Sequence, residues 1–552
     1  MKKVLSLLLA LLMTSTLFTA TAFAADVVEV EFANVWKSTS RNFPDDLSST
    51  AMGKLMEEKF GLKLKMTDTG SRTEVEFLNM LFSGGILPDV ANNAYWGAYA
   101  GGEGAAVIQA AKEGLMKDIA PYLADYPNLQ ALVNNLPNTV SKAMSVNLFH
   151  NAEYPEGAVY FLPNNLNTNS TEYSSVFGDT LYIRKDVAEA LELNIEDIKT
   201  MDDLYELCKK IAASGITDWN GNPIIPISTL EFGWRADNIY GWLRGNTMSD
   251  YRQLEDGTVV HVAFTDYYKD RVMFMRKLFS EGLMDIECLD MTLDTSRAKQ
   301  TQGRFAIITC DANNAVGELY ATGLVDAHPE AEWIPLYAMT NQDGNNTVDV
   351  YNPGFSSGHI MWFAHDIEDE QLRAVLSLME WLCTEEGKLF ARYGVEGEHY
   401  IMENGLPIET ESWIAAKAAD PDAIRNSFLG KDLGIQNYLM VEDNYDTLWP
   451  IPMDQLDART ASIKKLENYF RPRVEVNAIS VADLLATWED YDMYNDSLQS
   501  IGIEDMLKQA YFYATEEEVD VVIQTIRDNL TKIGVEDACK FIQENLNENY
   551  AF

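Results

Sequence analysis

Apolar and polar residues alternate from Val27 to Val35 (VVEVEFANV), the period of a half-buried strand. Ser48, Ser49 and Thr50 offer capping hydroxyls to AMGKLMEEKF, a helical stretch that stops at Gly61, and Leu62–Met66 (LKLKM) alternates again. Strand, helix, strand is how a parallel α/β unit opens, because parallel neighbours need a crossover. A second helix is expected over Glu74–Phe82, closed by Gly84 and Gly85, with a short buried strand at Asp89–Ala91. Ile108–Leu123, Asn128–Leu136 and Val140–Val146 read as helices. The pattern restarts at Thr180 with a strand entering a helix, and Asp202–Ala213 is helical. Asp256-Gly257 between apolar runs is a hairpin signal, and Asp266–Glu281 is a long helix. Phe305–Thr309 (FAIIT) and His359–Phe363 (HIMWF) are short apolar strands, and Asp366–Tyr393 is a helix with room for a break. Past Asn444, helices are expected at Met453–Arg471, Val481–Ser500, Glu504–Tyr513, Glu516–Ile533 and Val535–Leu546. The pattern predicts two α/β lobes and a helical C-terminal portion.

Composition narrows the partners. The 552 residues are 47% hydrophobic, enough to build cores, and carry a net charge of −43 from 85 acidic and 42 basic side chains. Such a surface repels phosphate backbones, so no nucleic-acid partner is expected, nor an anionic lipid. Lys2 and Lys3, the apolar run Val4–Met13 and the Ala22-Phe23-Ala24 site form a secretory signal peptide, residues 1–24. The apolar run falls short of the roughly 20 residues that span a bilayer. No cysteine lies near Ala24, so no lipoprotein anchor is expected, and the mature chain is expected to be secreted or periplasmic. Cys208, Cys288, Cys310, Cys383 and Cys539 have neither metal-ligand spacing nor the density of a disulfide scaffold, and read as buried thiols.

Five blocks, in order, resemble the extracellular solute-binding proteins (family 1, oligosaccharide type) of bacterial ABC importers. They are LFSGGILPDV (Leu81–Val90), GLMKDIAPYL (Gly114–Leu123), LYIRKDVAEALEL (Leu181–Leu193), RKLFSEGLMDIE (Arg276–Glu287) and MEWLCTEEGKLFARYGVEGEHY (Met379–Tyr400). Physically they are fold markers: Pro88 sets a turn and Asp89 can accept backbone N–H groups where the chain enters a sheet. The resemblance implies a periplasmic-binding-protein-like α/β fold of two lobes, each a mostly parallel sheet flanked by helices, closing about a hinge. Crossovers are expected near Phe177–Tyr182, Thr309–Asn313 and Pro353–Ile360. The lobes would then be 25–179 with 311–357, and 180–310 with 358–552, the latter including a helical extension from about 445.

The same resemblance implies a monomeric, non-enzymatic carrier that captures a carbohydrate, an oligosaccharide above all, in the interlobe cleft and delivers it to permease subunits. Aromatic faces suit pyranose C–H faces, and Asn, Asp or Arg bind hydroxyls. Residues in loops expected to line the cleft are Trp36, Tyr95, Trp96, Trp234, Arg235, Trp242, Asp311 and Asn313, with Trp362 and Trp449 as weaker candidates. Arg184 suits either a ligand or a local acid. The high negative charge favours neutral sugars. A secreted glycoside hydrolase is the alternative of another class, and a peptide or other small solute the alternative ligand. Gly354–Gly358 matches G-x-S-x-G, but the strand-like HIMWF follows where a nucleophile elbow needs a helix. Asp218, Asn220 and Asn222 resemble part of the calcium loop of some relatives, yet Pro223-Ile224-Ile225 replaces the downstream acids, so a turn with oxygen side chains is the better reading and no cofactor is expected.

Overall fold

The computed structural model describes residues 27–35, 47–67, 72–94, 103–135, 158–164, 180–229, 250–254, 256–310, 315–316, 319, 324–328, 331–336, 349–350, 359–420, 423, 427, 448–456, 458–470, 474–475, 479–485, 488, 490–512, 515–546 and 550–551. Its strands in chain order are β1 (Val28–Asn34), β2 (Leu62–Thr67), β3 (Val90–Ala94), β4 (Phe161–Asn164), β5 (Thr180–Arg184), β6 (Ile225–Thr229), β7 (Tyr251–Gln253), β8 (Val259–His261), β9 (Phe305–Cys310), β10 (Trp333–Pro335), β11 (Asp349–Val350) and β12 (His359–Phe363). Further short strands follow beyond Tyr400.

The local signals act as the sequence suggests. Thr50 accepts the Gly53 N–H at 2.9 Å, and Gly61, at φ 59°, ends the helix Ala51–Phe60 in a left-handed turn. Thr73 and Glu76 form a reciprocal capping box at the head of Glu74–Gly84. The helix expected over Ile108–Leu123 stops earlier, at Lys112, because Gly114 turns the backbone left-handed at φ 77°. Val481–Leu485 and Tyr491–Ser500 replace the single long helix expected there.

The first lobe is built on a five-stranded sheet in the order β2-β1-β3-β12-β4. β1, β2 and β3 are parallel, while β12 runs antiparallel to both β3 and β4. Side chains alternate between two buried faces. Val30, Phe32, Val90, Met361 and Phe363 meet Met52, Met56, Leu129 and the helix Asp369–Leu382 on one side. Ala33, Ala91, Ile360 and Trp362 meet Phe77, Leu78, Leu81, Val107 and Ala110 on the other. The second sheet has the order β10-β5-β9-β6, with β5 antiparallel to its neighbours and β9 buried along its whole length. Each sheet is therefore parallel except for one strand.

The lobe boundaries expected from the sequence are corrected. β12 joins the first sheet, and Gln371 donates to the Glu29 carbonyl at 2.8 Å and to Asp89 at 3.1 Å, so 359–393 belongs with the first lobe. Asp89 also accepts the Glu31 N–H at 2.7 Å, the role expected of it, while its burial raises its pKa. Ala315, Val316, Leu319, Leu324 and Trp333 pack in the second core, so the chain does not cross at Thr309–Asn313. Asn164 belongs to the first sheet and Thr180 to the second, Leu336 to the second core and His359 to the first sheet, and Trp449 to the first core and Leu466 to the second. The chain therefore changes lobe three times between these residues. The C-terminal helices cover the second lobe through Val519, Ile523, Ile526 and Leu530 of Glu516–Lys532 and Val535, Ala538 and Ile542 of Val535–Asn545. Arg527 donates to the Ala263 carbonyl at 2.6 Å, and the Tyr251 and Tyr494 hydroxyls meet at 2.8 Å.

Candidate functional site

Both sheets gather polar groups at one edge. In the first, Asn34 pairs with Asn92 across β1 and β3, and Ala94 and Asn164 both lie opposite His359. The carboxyl ends of β1, β3 and β4 and the start of β12 thus share that edge. Asn34, Asn92 and Asn93 are fully buried there, in a setting where amides need hydrogen-bond partners. In the second sheet Thr229 pairs with Thr309, and Cys310 with Thr180, so the ends of β6 and β9 meet the start of β5. Ser228, Thr229 and Thr309 are fully buried, and the Thr229 hydroxyl has no hydrogen-bond partner among the described residues. Open α/β sheets bind ligands beyond the carboxyl ends of their strands. The sequence reading did not single out these amides and hydroxyls, although small polar residues closing an apolar run (ANN, IST, IIT) were a visible signal.

Trp36, Tyr95, Trp96, Trp234, Arg235, Trp242, Asp311 and Asn313 lie outside the described residues. The strands preceding them do not: β1 ends at Asn34, β3 at Ala94, β6 at Thr229 and β9 at Cys310. The G-x-S-x-G stretch, Gly354–Gly358, is also outside.

Trp362 and Trp449 are corrected from ligand candidates to core residues. Trp362 is fully buried in β12, its indole N–H donating to Asn93 Oδ1 at 2.9 Å and its ring packed on Phe82. Trp449 is buried in the first core with its ring edge-on to Tyr393. Neither presents a face to a ligand, because alternation turns Trp362 into the layer between sheet and helix. Arg184 is likewise committed: its guanidinium grips Asp186 at 2.6 and 2.9 Å and the Gly303 carbonyl at 2.6 Å. Cys208, Cys288 and Cys310 are buried and Cys383 and Cys539 partly so; burial pushes the Cys208 thiol up to about 12.

Calcium does not fit the Asp218 turn. The Asp218 side chain is fully buried, and Oδ1 accepts the backbone N–H groups of Asn220 and Asn222 at 2.9 and 2.8 Å. Oδ2 accepts Asn222 Nδ2 at 3.0 Å and Arg304 Nη1 at 3.1 Å. Ca²⁺ asks for six to eight oxygens at about 2.3–2.6 Å, not a carboxylate already filled by donors and a guanidinium. Among the described residues no group of three or more His, Cys, Asp or Glu could hold a metal ion. A second buried ion pair lies beside β6, where Lys299 binds Asp285 at 2.6 Å and Glu287 at 2.8 Å.

No protein-family model matches the chain. In sequence it is 27% identical over 295 residues to the fructooligosaccharide ABC transporter substrate-binding protein FusA of Streptococcus pneumoniae, covering 50% of this chain and 49% of that protein. It is 22% identical to the polygalacturonan/rhamnogalacturonan-binding protein YtcQ of Bacillus subtilis, over 63% of each. With lipoprotein LipO of Bacillus subtilis the identity is 21% over 66% of each. The matches span from about half to about two thirds of these relatives' length. The fold agrees over a longer stretch. The alginate-binding protein AlgQ2, solved without calcium ion, superposes with a TM-score of 0.63 at 16% identity, over 94% of this chain and 98% of that one. FusA in complex with kestose gives 0.62 at 18%, with the same coverage. Among the described residues no helix is long and apolar enough to cross a membrane. The chain carries the two-lobe fold of the oligosaccharide-type extracellular solute-binding proteins, and its sequence is similar to that of ABC transporter substrate-binding proteins.

Proposed function

We propose that this protein is the extracytoplasmic substrate-binding component of an ABC importer. It captures a carbohydrate, most naturally an oligosaccharide, between its lobes and hands it to permease subunits as a monomer after export and cleavage near Ala24. The observation that carries this reading is the pair of sheet edges: each collects strand ends and buried amides or hydroxyls. Trp36, Tyr95 and Trp96 follow β1 and β3, and Trp234, Arg235, Trp242, Asp311 and Asn313 follow β6 and β9, so ligand contacts are proposed from both lobes. Closure then follows from affinity: a ligand touching both lobes favours the closed form, and one with equal affinity for both forms shifts nothing.

The test is a thermal-shift and calorimetric screen of the mature chain against neutral and acidic oligosaccharides, amino acids and peptides. Saturable binding of a glycan is expected, with Trp234→Ala weakening it at least about tenfold, as loss of a stacking face does, while the apo melting temperature stays put. Binding of peptides or amino acids with no glycan bound would overturn the carbohydrate assignment. Turnover of a bound glycan would move the protein to the glycoside hydrolases.

A further inference from the structure

The turn that resembles a calcium loop raises the question of what neutralises its carboxylate. Asp218 is the only acid between Thr217 and Ile225, and its four acceptor directions are taken. Arg304 reaches it from the residue just before β9 and spends a second hydrogen bond, also 3.1 Å, on the Pro223 carbonyl. Asn222 turns its amide nitrogen toward the acid, at 3.0 Å, and this leaves its own oxygen facing away. The backbone closes around the same point: the Asp218 N–H donates to the Asn222 carbonyl at 2.7 Å, and the Trp219 N–H to the Gln302 carbonyl at 3.1 Å.

The neighbouring indole is held as firmly. Trp219 is sandwiched between the Arg184 guanidinium, 4.8 Å from its ring, and the His328 imidazole, stacked at 3.9 Å and 7°. Beneath it lies Gly303, at φ 70°, where a Cβ would come within 2.6 Å of the indole. Two arginines, an imidazole and a bare glycine thus assemble around one turn.

From this we infer that the Arg304 guanidinium closes the Asp218 turn in the place a divalent cation would otherwise take, making the turn a metal-free clasp that fixes the entry of β9. It locks three segments together: the turn 217–223, the end of β5 through Arg184, and residues 302–304. The charges balance within the protein, one guanidinium against one carboxylate, as in other charge-assisted pairs. The low pKa of Asp218 agrees: burial opposes its charge, but the donors from Asn222, Arg304 and Asn220 outweigh burial and bring the carboxyl down to about 2.

Thermal unfolding of the full chain in EDTA and in millimolar calcium chloride tests this, for wild type, Arg304→Gln, Asp218→Asn and the double variant. The first readout is the calcium-induced shift of wild type minus that of Asp218→Asn, which removes calcium acting elsewhere on so acidic a protein; it is expected to be zero. A difference of several degrees in favour of wild type overturns the inference. The second is the melting temperature in EDTA, where each single substitution should cost roughly 5 °C, and the double no more than Asp218→Asn alone. An Arg304→Gln variant as stable as wild type also overturns it. If that variant fails to fold, the calcium difference still decides.

Discussion

Replacing Lys299 by methionine isolates the energetics of the ion pair beside β6. The Lys299 head is 15% exposed and Asp285 only 5%, so both charges are largely withdrawn from water. At 2.6 Å, with an effective dielectric constant of about 20, their attraction is about 6 kcal/mol. Most of that attraction repays desolvation, so the net value of the pair is small, while breaking it is costly. Methionine keeps the packing of the lysine stem and leaves the Asp285 carboxylate, among the described residues, with the Glu287 N–H at 3.3 Å and a long contact to Ser228 at 3.4 Å. The second arm, to Glu287, ends on a 67% exposed carboxylate and contributes roughly 0–1 kcal/mol. Lys299→Met should therefore cost roughly 3–5 kcal/mol. Adding Asp285→Asn should recover at least half of the loss, because the stranded charge is gone. Urea unfolding followed by intrinsic fluorescence measures both, provided the slope is unchanged so that the midpoint reports stability. A loss below about 1 kcal/mol for Lys299→Met, or a double variant no better than the single, would refute this account.

Three further outcomes are expected. Trp362→Phe should lower stability by about 2 kcal/mol through the lost Asn93 hydrogen bond and lost packing, yet leave the affinity for any bound glycan unchanged; a binding defect at unchanged stability would return that residue to the site. Gly303→Ala should destabilise by at least about 1 kcal/mol, since the added methyl meets Trp219 from a left-handed backbone, and a neutral result in chemical denaturation would contradict the sandwich. Burial lowers the pKa of His261 and of His399, whose Nδ1 atoms accept the Ala263 and Val395 N–H groups. The unfolded chain binds more protons than the folded one once the pH falls below about 6.5, so their contribution is intact above that value and declines on acidification. Stability should be lower at about pH 5.5 than at about pH 7.5, a range in which Asp218 stays charged; equal midpoints would count against both assignments.

Much of the fold was legible where the signal was local. Thr50 and Gly61 announced helix ends by the hydrogen-bonding needs of those ends, and β9 and β12 appear where FAIIT and HIMWF suggested strands. Partnership was less legible. HIMWF reads the same whichever sheet it enters, and its place between β3 and β4 is set by packing against residues hundreds of positions away. For the same reason Trp362, a weaker ligand candidate within HIMWF near an expected crossover, is a core residue. At the site, aromatics drew attention by size, whereas Asn92, Asn93 and Thr229 acquire their meaning only from lying side by side at strand ends. Arg304 was invisible as a partner of Asp218, because 86 residues separate them.

The placement of β12 also governs how the chain can fold. Among the described strands β4 attaches to the first sheet through β12 alone, so that sheet stays incomplete until residue 363 is available. The second sheet closes its pairings by residue 335, but Leu507, Ile526 and Ile542 of its core come from the last fifty residues. Neither lobe is a contiguous piece that could mature while the rest of the chain is still emerging. Burial of both cores waits on contacts of long sequence separation, a slow class of folding reaction that leaves apolar surface exposed meanwhile. A fragment holding 180–336 would own a paired sheet and its own helices but not the C-terminal helices that complete the core, so truncation is a poor route to an isolated second lobe.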